Sequence, residues 1–404
     1  KYSFIILPGF QYGGMEHTGA TLYNDTRMFL SEHPTLDEEL ARAKLIAHET
    51  AHMWFGDYVT MDWFNDVWTK EVFANYFAAC ITEPLFPSVN HSLNWIKTYT
   101  AASLAEDRTS GSNSIRQPLD NLRNAGLIYG NIIYNKAPVM MQKLVEIMGE
   151  KAYQEGIQEY LKTYAYSNAT WDDLITILDD KTEEDLASFS DVWVNQKGMP
   201  HITFTNRCGQ LEIRQRDPLN RGLIWPQHFQ ITFIGDEITT VEVDLSQETY
   251  ALTVPLNTKA ILPNTDERGY GLFIPDEQSR AWLLAHWHEM TDDTARQSLL
   301  MLLYENYQHR LITDKEWINA LLNGLKTEKN ALIASTLCGY LSGPMQKLKD
   351  EKLEETIWLW TEKHPIASCR LQLIRCLISN ASAPQSIDKL YQLWEKQSHP
   401  MLNE

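Results

Sequence analysis

The stretch "LIAHETAHMWFGDYVTMDWFNDVWTKEVFANYFA", residues 45–78, carries two histidines with a glutamate beside the first, then a second glutamate after a break and a new apolar run. His48 and His52 stand four apart, so on an α-helix their imidazoles leave one face and can meet at a single ion. Glu49 lies next to His48, where its carboxylate can reach a water on that ion without ligating it. Zinc held by two neutral imidazoles and one carboxylate keeps a fourth vertex open, the arrangement of a catalytic and not a structural site. The third ligand must then come from a second element. Asp57, Asp62 and Asp66 fall in or near the connecting segment, whereas Glu71 is flanked by Trp68, Val72 and Phe73, which would bury it. Glu71 is therefore the expected third ligand, and hydrolysis by a metal-activated water is the chemistry this set suits.

Positioning these groups requires two helices. Apolar residues three and four apart predict helices over 38–55, 65–83, 136–148 and 150–165. Gly56 and Asp57 separate the first run from the second, which begins near Asn65, folds back against the first and puts Glu71 about two turns in. "TWDDLITIL" opens with Thr170 and Asp173 in capping-box positions, and "KYSFIILPGF" reads as a short strand and a turn. Residues 1–200 are thus expected to form one mainly α domain. From 201 to 275 the pattern alternates, as in "HITFTN", "QLEIRQR" and "TTVEVDL", which predicts a small β-sandwich. From 276 to 404 helical runs return, with a capping box from Thr313 to Glu316; paired helices in the manner of an α-solenoid fit this rhythm. That pattern reaches Glu404 without a closing cap, so the helical domain reads as incomplete. The expected fold class is multidomain α+β.

The bulk properties narrow the partners. A chain of 404 residues is long enough for two or three domains. Thirty-five basic against 53 acidic side chains give a formal charge of -18, which repels a phosphate backbone and argues against nucleic acid. No apolar run approaches the length of a membrane span. The chain opens on Lys1, with neither the length nor the flanks of a signal peptide, so the reading is of a chain that starts inside a larger protein. Five scattered cysteines, Cys80, Cys208, Cys338, Cys369 and Cys376, read as free thiols and lean toward a reducing compartment such as the cytoplasm. "NDT", "NHS", "NAT" and "NAS" fit the glycosylation pattern but are short enough to arise by accident.

HExxH followed by eighteen residues and a glutamate, here His48, Glu49, His52 and Glu71, resembles the aminopeptidase N family of zinc metallopeptidases, the gluzincin aminopeptidases that include leukotriene hydrolase. The flanks "HMWFGDYVT" and "WFNDVWTKEVFANYF" look like that family's as well. "GGMEH", Gly13 to His17, is similar to its exopeptidase signature GxMEN, and "IIYNKAPVMMQKL" to its YxKG segment, with Tyr134 at the catalytic tyrosine. "WVNQKGMP" and "ILPNTDERGYGLF" resemble the ends of its catalytic and β domains. Three departures stand out: His17 replaces the usual asparagine, Lys70 and Val72 flank the zinc glutamate where asparagine and glycine are common, and Ala137 follows Lys136 in place of glycine.

The resemblance covers residues 1–275 with ordered motifs and the remainder by architecture. It implies a thermolysin-like zinc peptidase catalytic domain over 1–200, a β-sandwich over 201–275 and a helical domain over 276–404, without the family's N-terminal β-domain. It further implies one zinc ion held by His48, His52 and Glu71, with Glu49 and Tyr134 as the catalytic pair. Gly13, Gly14 and Met15 lie along the substrate, Glu16 holds its free α-amine, and peptides with a free N-terminus are the implied partners. From spacing alone Glu16 reads as a loop acid and Tyr134 as a packing residue. Three other readings stay open on this fold: a gluzincin endopeptidase, an epoxide hydrolase and a non-catalytic scaffold.

Overall fold

Asp37, Glu38 and Glu39 occupy the first turn of a helix spanning Leu36–Ala51, where carboxylates favour the positive end of the helix dipole. The helix stops short of the expected residue 55. His52 still donates its backbone N–H to the His48 carbonyl at 3.2 Å, but the Asp57 N–H then closes on the His52 carbonyl at 3.0 Å and the chain reverses. Gly56 has φ +128, a conformation that a side chain would strain, and Phe55 bridges to Val59 just beyond it. This turn fixes where the histidines end up.

The glutamate-bearing helix spans Trp68–Thr82, and Phe64–Asp66 forms a separate 3₁₀ turn before it. Glu71 therefore lies in the first helical turn, not two turns in. The late start follows from Asp66, whose carbonyl accepts the Thr69 hydroxyl at 2.7 Å and whose carboxylate is buried against Arg116. Val72, Phe73 and Ala74 are buried, so the first turns of this helix are set into the core. Phe55 stacks on Phe73 at 4.4 Å and on Phe77 at 5.1 Å, which pins the turn after the first helix to the second.

The structure, a computed structural model, describes residues 3–30, 32, 34 and 36–396. It falls into two compact units, one of residues 1–91, 98–200 and 217–226 and the other of 92–97, 201–216 and 227–404. In the first, a three-stranded sheet runs Phe4–Leu7, Thr21–Asn24, Gly14–Met15; Phe4–Leu7 pairs with the central strand in parallel, and Gly14 and Met15 lie opposite Tyr23 and Leu22 in antiparallel register. Helices Ala137–Met148, Glu150–Thr163 and Trp171–Asp179 follow, the last opened by the expected Thr170–Asp173 capping box.

The second unit holds a four-stranded sheet in the order Thr249–Thr253, Gln210–Arg216, His201–Arg207, Leu272–Ile274, and a three-stranded sheet in the order Ala260–Leu262, His228–Ile234, Ile238–Asp244. Period-two side chains from both sheets, among them Ile202, Leu211, Phe229 and Val243, share one buried cluster with Leu283, Leu300 and Leu337 from the helices that follow. Those helices include Asp293–Gln308 and Asp314–Thr327, the latter with the Thr313–Glu316 capping box in place. The chain is thus mixed α+β. No helix among the described residues is long and apolar enough to cross a membrane. All five cysteines are free; Cys338, Cys369 and Cys376 are buried, Cys80 and Cys208 exposed.

Candidate active site

His48, in the last turn of its helix, and His52, just past it, bring their Nε2 atoms to 3.1 Å, and Glu71 Oε2 lies 3.5 Å from the first and 3.6 Å from the second. The partners of the other ring nitrogens decide what these three atoms can bind. His52 Nδ1 faces the Phe55 carbonyl at 2.9 Å, which only accepts, so Nδ1 carries the proton. His48 Nδ1 lies 3.0 Å from Asn75 Oδ1, and Asn75 Nδ2 donates to the Tyr134 carbonyl, so here too the oxygen accepts and Nδ1 donates. Both Nε2 atoms are left with lone pairs aimed at each other and at a carboxylate oxygen. Three electron-pair donors so close repel unless a cation lies between them. A tetrahedron with bonds of about 2.0–2.1 Å has edges of about 3.3 Å, and the three observed separations bracket that length. The donor set fits a zinc-sized cation, and the hydrogen bonds behind it are those that orient ligating histidines.

Glu71 is held as an anion. Burial would push its carboxyl up, but the facing His48 and His52 rings, which donate to it whenever their Nε2 atoms hold protons in place of a metal, and the Lys70 charge outweigh it and hold it well below the usual carboxylate range. His52 is shifted upward, its burial opposed and overcome by the same Glu71 carboxylate.

Glu49 is different. It is buried, and its Oε2 has no hydrogen-bond partner among the described residues. Burial, offset by His48 and reinforced by the Glu16 and Glu71 carboxylates, lifts its pKa to about 7. A carboxylate with spare accepting capacity and that proton affinity suits general-base work near neutrality. Gly14 makes room for it: a Cβ there would run into the Glu49 carboxylate and lie 2.7 Å from its Cγ, whereas a Cβ on Gly13 would meet only Leu45 Cδ1 at 3.5 Å. Of the two glycines in "GGM", the second is the one the geometry demands.

Tyr134 sits in a single π-helical turn, Ile132–Lys136, of the kind often found at functional sites. The turn is anchored from behind by Lys136, buried and paired with Asp107 at 2.8 Å, its ammonium also donating to the Gly198 carbonyl at 2.8 Å. Burial, then the Glu71 carboxylate and Tyr129, raise the Tyr134 phenol well above its ordinary value, so it remains a donor. All nine residues singled out in the sequence, Gly13, Gly14, Met15, Glu16, His48, Glu49, His52, Glu71 and Tyr134, line one cavity of ≈ 1000 Å³.

Lys70, Asn75 and Tyr129 line the same cavity and were not assigned roles from sequence. Lys70 had drawn notice only as a departure from the family pattern. Its ammonium pairs with Glu16 Oε1 at 2.5 Å and with Glu71 Oε1 at 3.3 Å. Burial pushes Glu16 up, but His52 and Lys70 prevail and its carboxyl lies lowered. Asn75, four residues after Glu71, had a legible signal in its i+4 spacing; Tyr129 had none. The other departures are bland. His17 is exposed and outside the cavity lining, Val72 is core, and Ala137 is buried at the start of its helix.

Residues 1–193 match the peptidase family M1 domain. Among curated proteins, the chain is 28% identical over 365 residues to an aminopeptidase N of Streptomyces lividans, covering 83% of this chain and 42% of that protein. It is 30% identical over 269 residues to the aminopeptidase N of Lactococcus lactis, covering 64% and 32%, and 28% identical over 202 residues to a leucyl aminopeptidase of Saccharolobus solfataricus, covering 50% and 26%. Residues 1–193 thus carry a peptidase family M1 domain, and the curated proteins this chain is similar to are aminopeptidases. The matched stretch spans less than half the length of each of these relatives.

Proposed function

We propose that this chain carries the active site of a zinc-dependent aminopeptidase that hydrolyses the amino-terminal peptide bond. The observation that carries the reading is the convergence of three lone-pair donors from His48, His52 and Glu71 beside a buried, unsaturated Glu49. Zinc bound by those three residues would act as a Lewis acid and lower the pKa of a coordinated water. Glu49 takes the proton from the attacking water and returns it to the leaving amine. The Tyr134 hydroxyl donates to the carbonyl oxygen as negative charge grows there, a contribution of about 2.7–4 kcal/mol where such donors have been removed. Gly13, Gly14 and Met15 lie along the substrate backbone, and Glu16 offers its carboxylate to the substrate amine. The division into a thermolysin-like catalytic domain over 1–200, a β-sandwich over 201–275 and an α-solenoid-like domain over 276–404 is part of the same proposal.

The test is hydrolysis of L-leucine 4-nitroanilide by the purified protein. Release of nitroaniline that 1,10-phenanthroline abolishes and added zinc restores is the expected result; turnover indifferent to the chelator contradicts the zinc reading.

A further inference from the structure

Glu16 does not wait in the cavity as a bare carboxylate. The Lys70 ammonium lies 2.5 Å from its Oε1 and reaches Glu71 Oε1 at 3.3 Å, with the Lys70 and Glu16 side chains only 17% and 15% exposed. Two carboxylates thus hold one cation, and both partners face the cavity. The lysine is anchored on the helix that supplies Glu71, so its ammonium is a fixture of the wall and not a passing surface charge. A substrate ammonium approaching Glu16 meets a like charge already in place, and in a partly dry pocket that opposition is little screened. An uncharged or acylated terminal nitrogen meets no such opposition, and an acyl oxygen there can accept from the Lys70 ammonium.

Building on the peptidase reading above, we propose that Lys70 is a specificity-determining residue: by pre-pairing Glu16 it cancels much of the preference for a charged N-terminus and widens the substrate class to peptides whose terminal nitrogen is acylated. Glu16 still offers its second oxygen to an amine, so free peptides remain substrates, with reduced advantage.

The experiment reads amine binding directly. L-Leucinamide is titrated calorimetrically into the wild type, Lys70→Met, Lys70→Arg, Glu16→Gln and the Lys70→Met/Glu16→Gln double variant, at equal zinc content and after matching circular dichroism. Lys70→Met should bind leucinamide at least about ten-fold more tightly, Lys70→Arg should stay within about three-fold of wild type, and Glu16→Gln should erase the gain in the Lys70→Met background while costing little alone. In turnover, the ratio of kcat/KM for L-leucine 4-nitroanilide over its N-acetyl counterpart should rise about ten-fold in Lys70→Met, chiefly through KM. Equal leucinamide affinity in wild type and Lys70→Met, measurable or not, overturns the proposal, as does a Glu16→Gln loss of the same size in both backgrounds. Binding that responds as expected in a protein that never turns over the reporter would sink the aminopeptidase reading and leave the role of Lys70 standing.

Discussion

Two buried glutamates, one in each compact unit, have opposite surroundings. Glu354 is 2% exposed and Glu49 4%, so burial does not distinguish them. Glu354 Oε1 accepts from the Ser382 N–H at 2.8 Å and hydroxyl at 3.0 Å, and its Oε2 accepts from the Ala383 N–H at 3.2 Å, so it ties down the backbone entering the helix Pro384–Lys396. Burial raises its carboxyl, but the Ser382 amide and the neighbouring donors win and leave it lowered. Glu49 has an empty Oε2, a pKa of about 7 and a cavity in front of it. A carboxylate whose capacity is spent inside the protein serves the fold, and one that keeps capacity and also faces a cavity is a candidate for work on something that enters from outside.

The sharpest way to break that contrast is to remove the charge at both positions. Glu49→Gln should lower kcat on the leucine reporter by about 10²–10⁴-fold while zinc content and melting temperature hold; a variant that keeps its rate removes the base. Tyr134→Phe should cost about 10²–10³-fold in kcat with KM little changed, because the donor acts on charge that exists only in the transition state. Asn75→Ala releases the His48 ring and should weaken zinc affinity by about 10–100-fold, read by competition with a chromogenic chelator.

Glu354→Gln should do the reverse of Glu49→Gln: a stability loss of about 1–3 kcal/mol in urea unfolding, with kcat unchanged. Its pH dependence has a definite sign. The folded carboxyl is lowered, so its stabilisation is present above the unfolded value of about 4.3 and is lost as the pH falls through the folded one. The gap between wild type and variant should be full at pH 7 and shrink in acid.

Much of the site was legible in the chain because metal chemistry constrains residue type and spacing together. His48 and His52 share a face by helical period alone, and the apolar neighbours of Glu71 foretold its burial. What the sequence hid were consequences of geometry. The short 3₁₀ turn at 64–66 moved the start of the glutamate helix, and helical periodicity does not register such a turn. Lys70 stood in plain view as an unusual neighbour of Glu71, yet its pairing with Glu16, 54 positions away, depends on a sheet edge brought beside the helix and on no local pattern. The two β-sheets and the following helices were readable from period two giving way to period 3.6, whereas their shared core was not, since packing partners leave no periodic trace.

The central claim is that His48, His52 and Glu71 bind one cation together. Zinc per chain, measured by mass spectrometry on the dialysed wild type and on His52→Ala, tests it most directly. The account predicts close to one zinc in the wild type and a small residue in the variant, with the fold intact by circular dichroism; equal zinc in both, or none in the wild type after zinc loading, would contradict it.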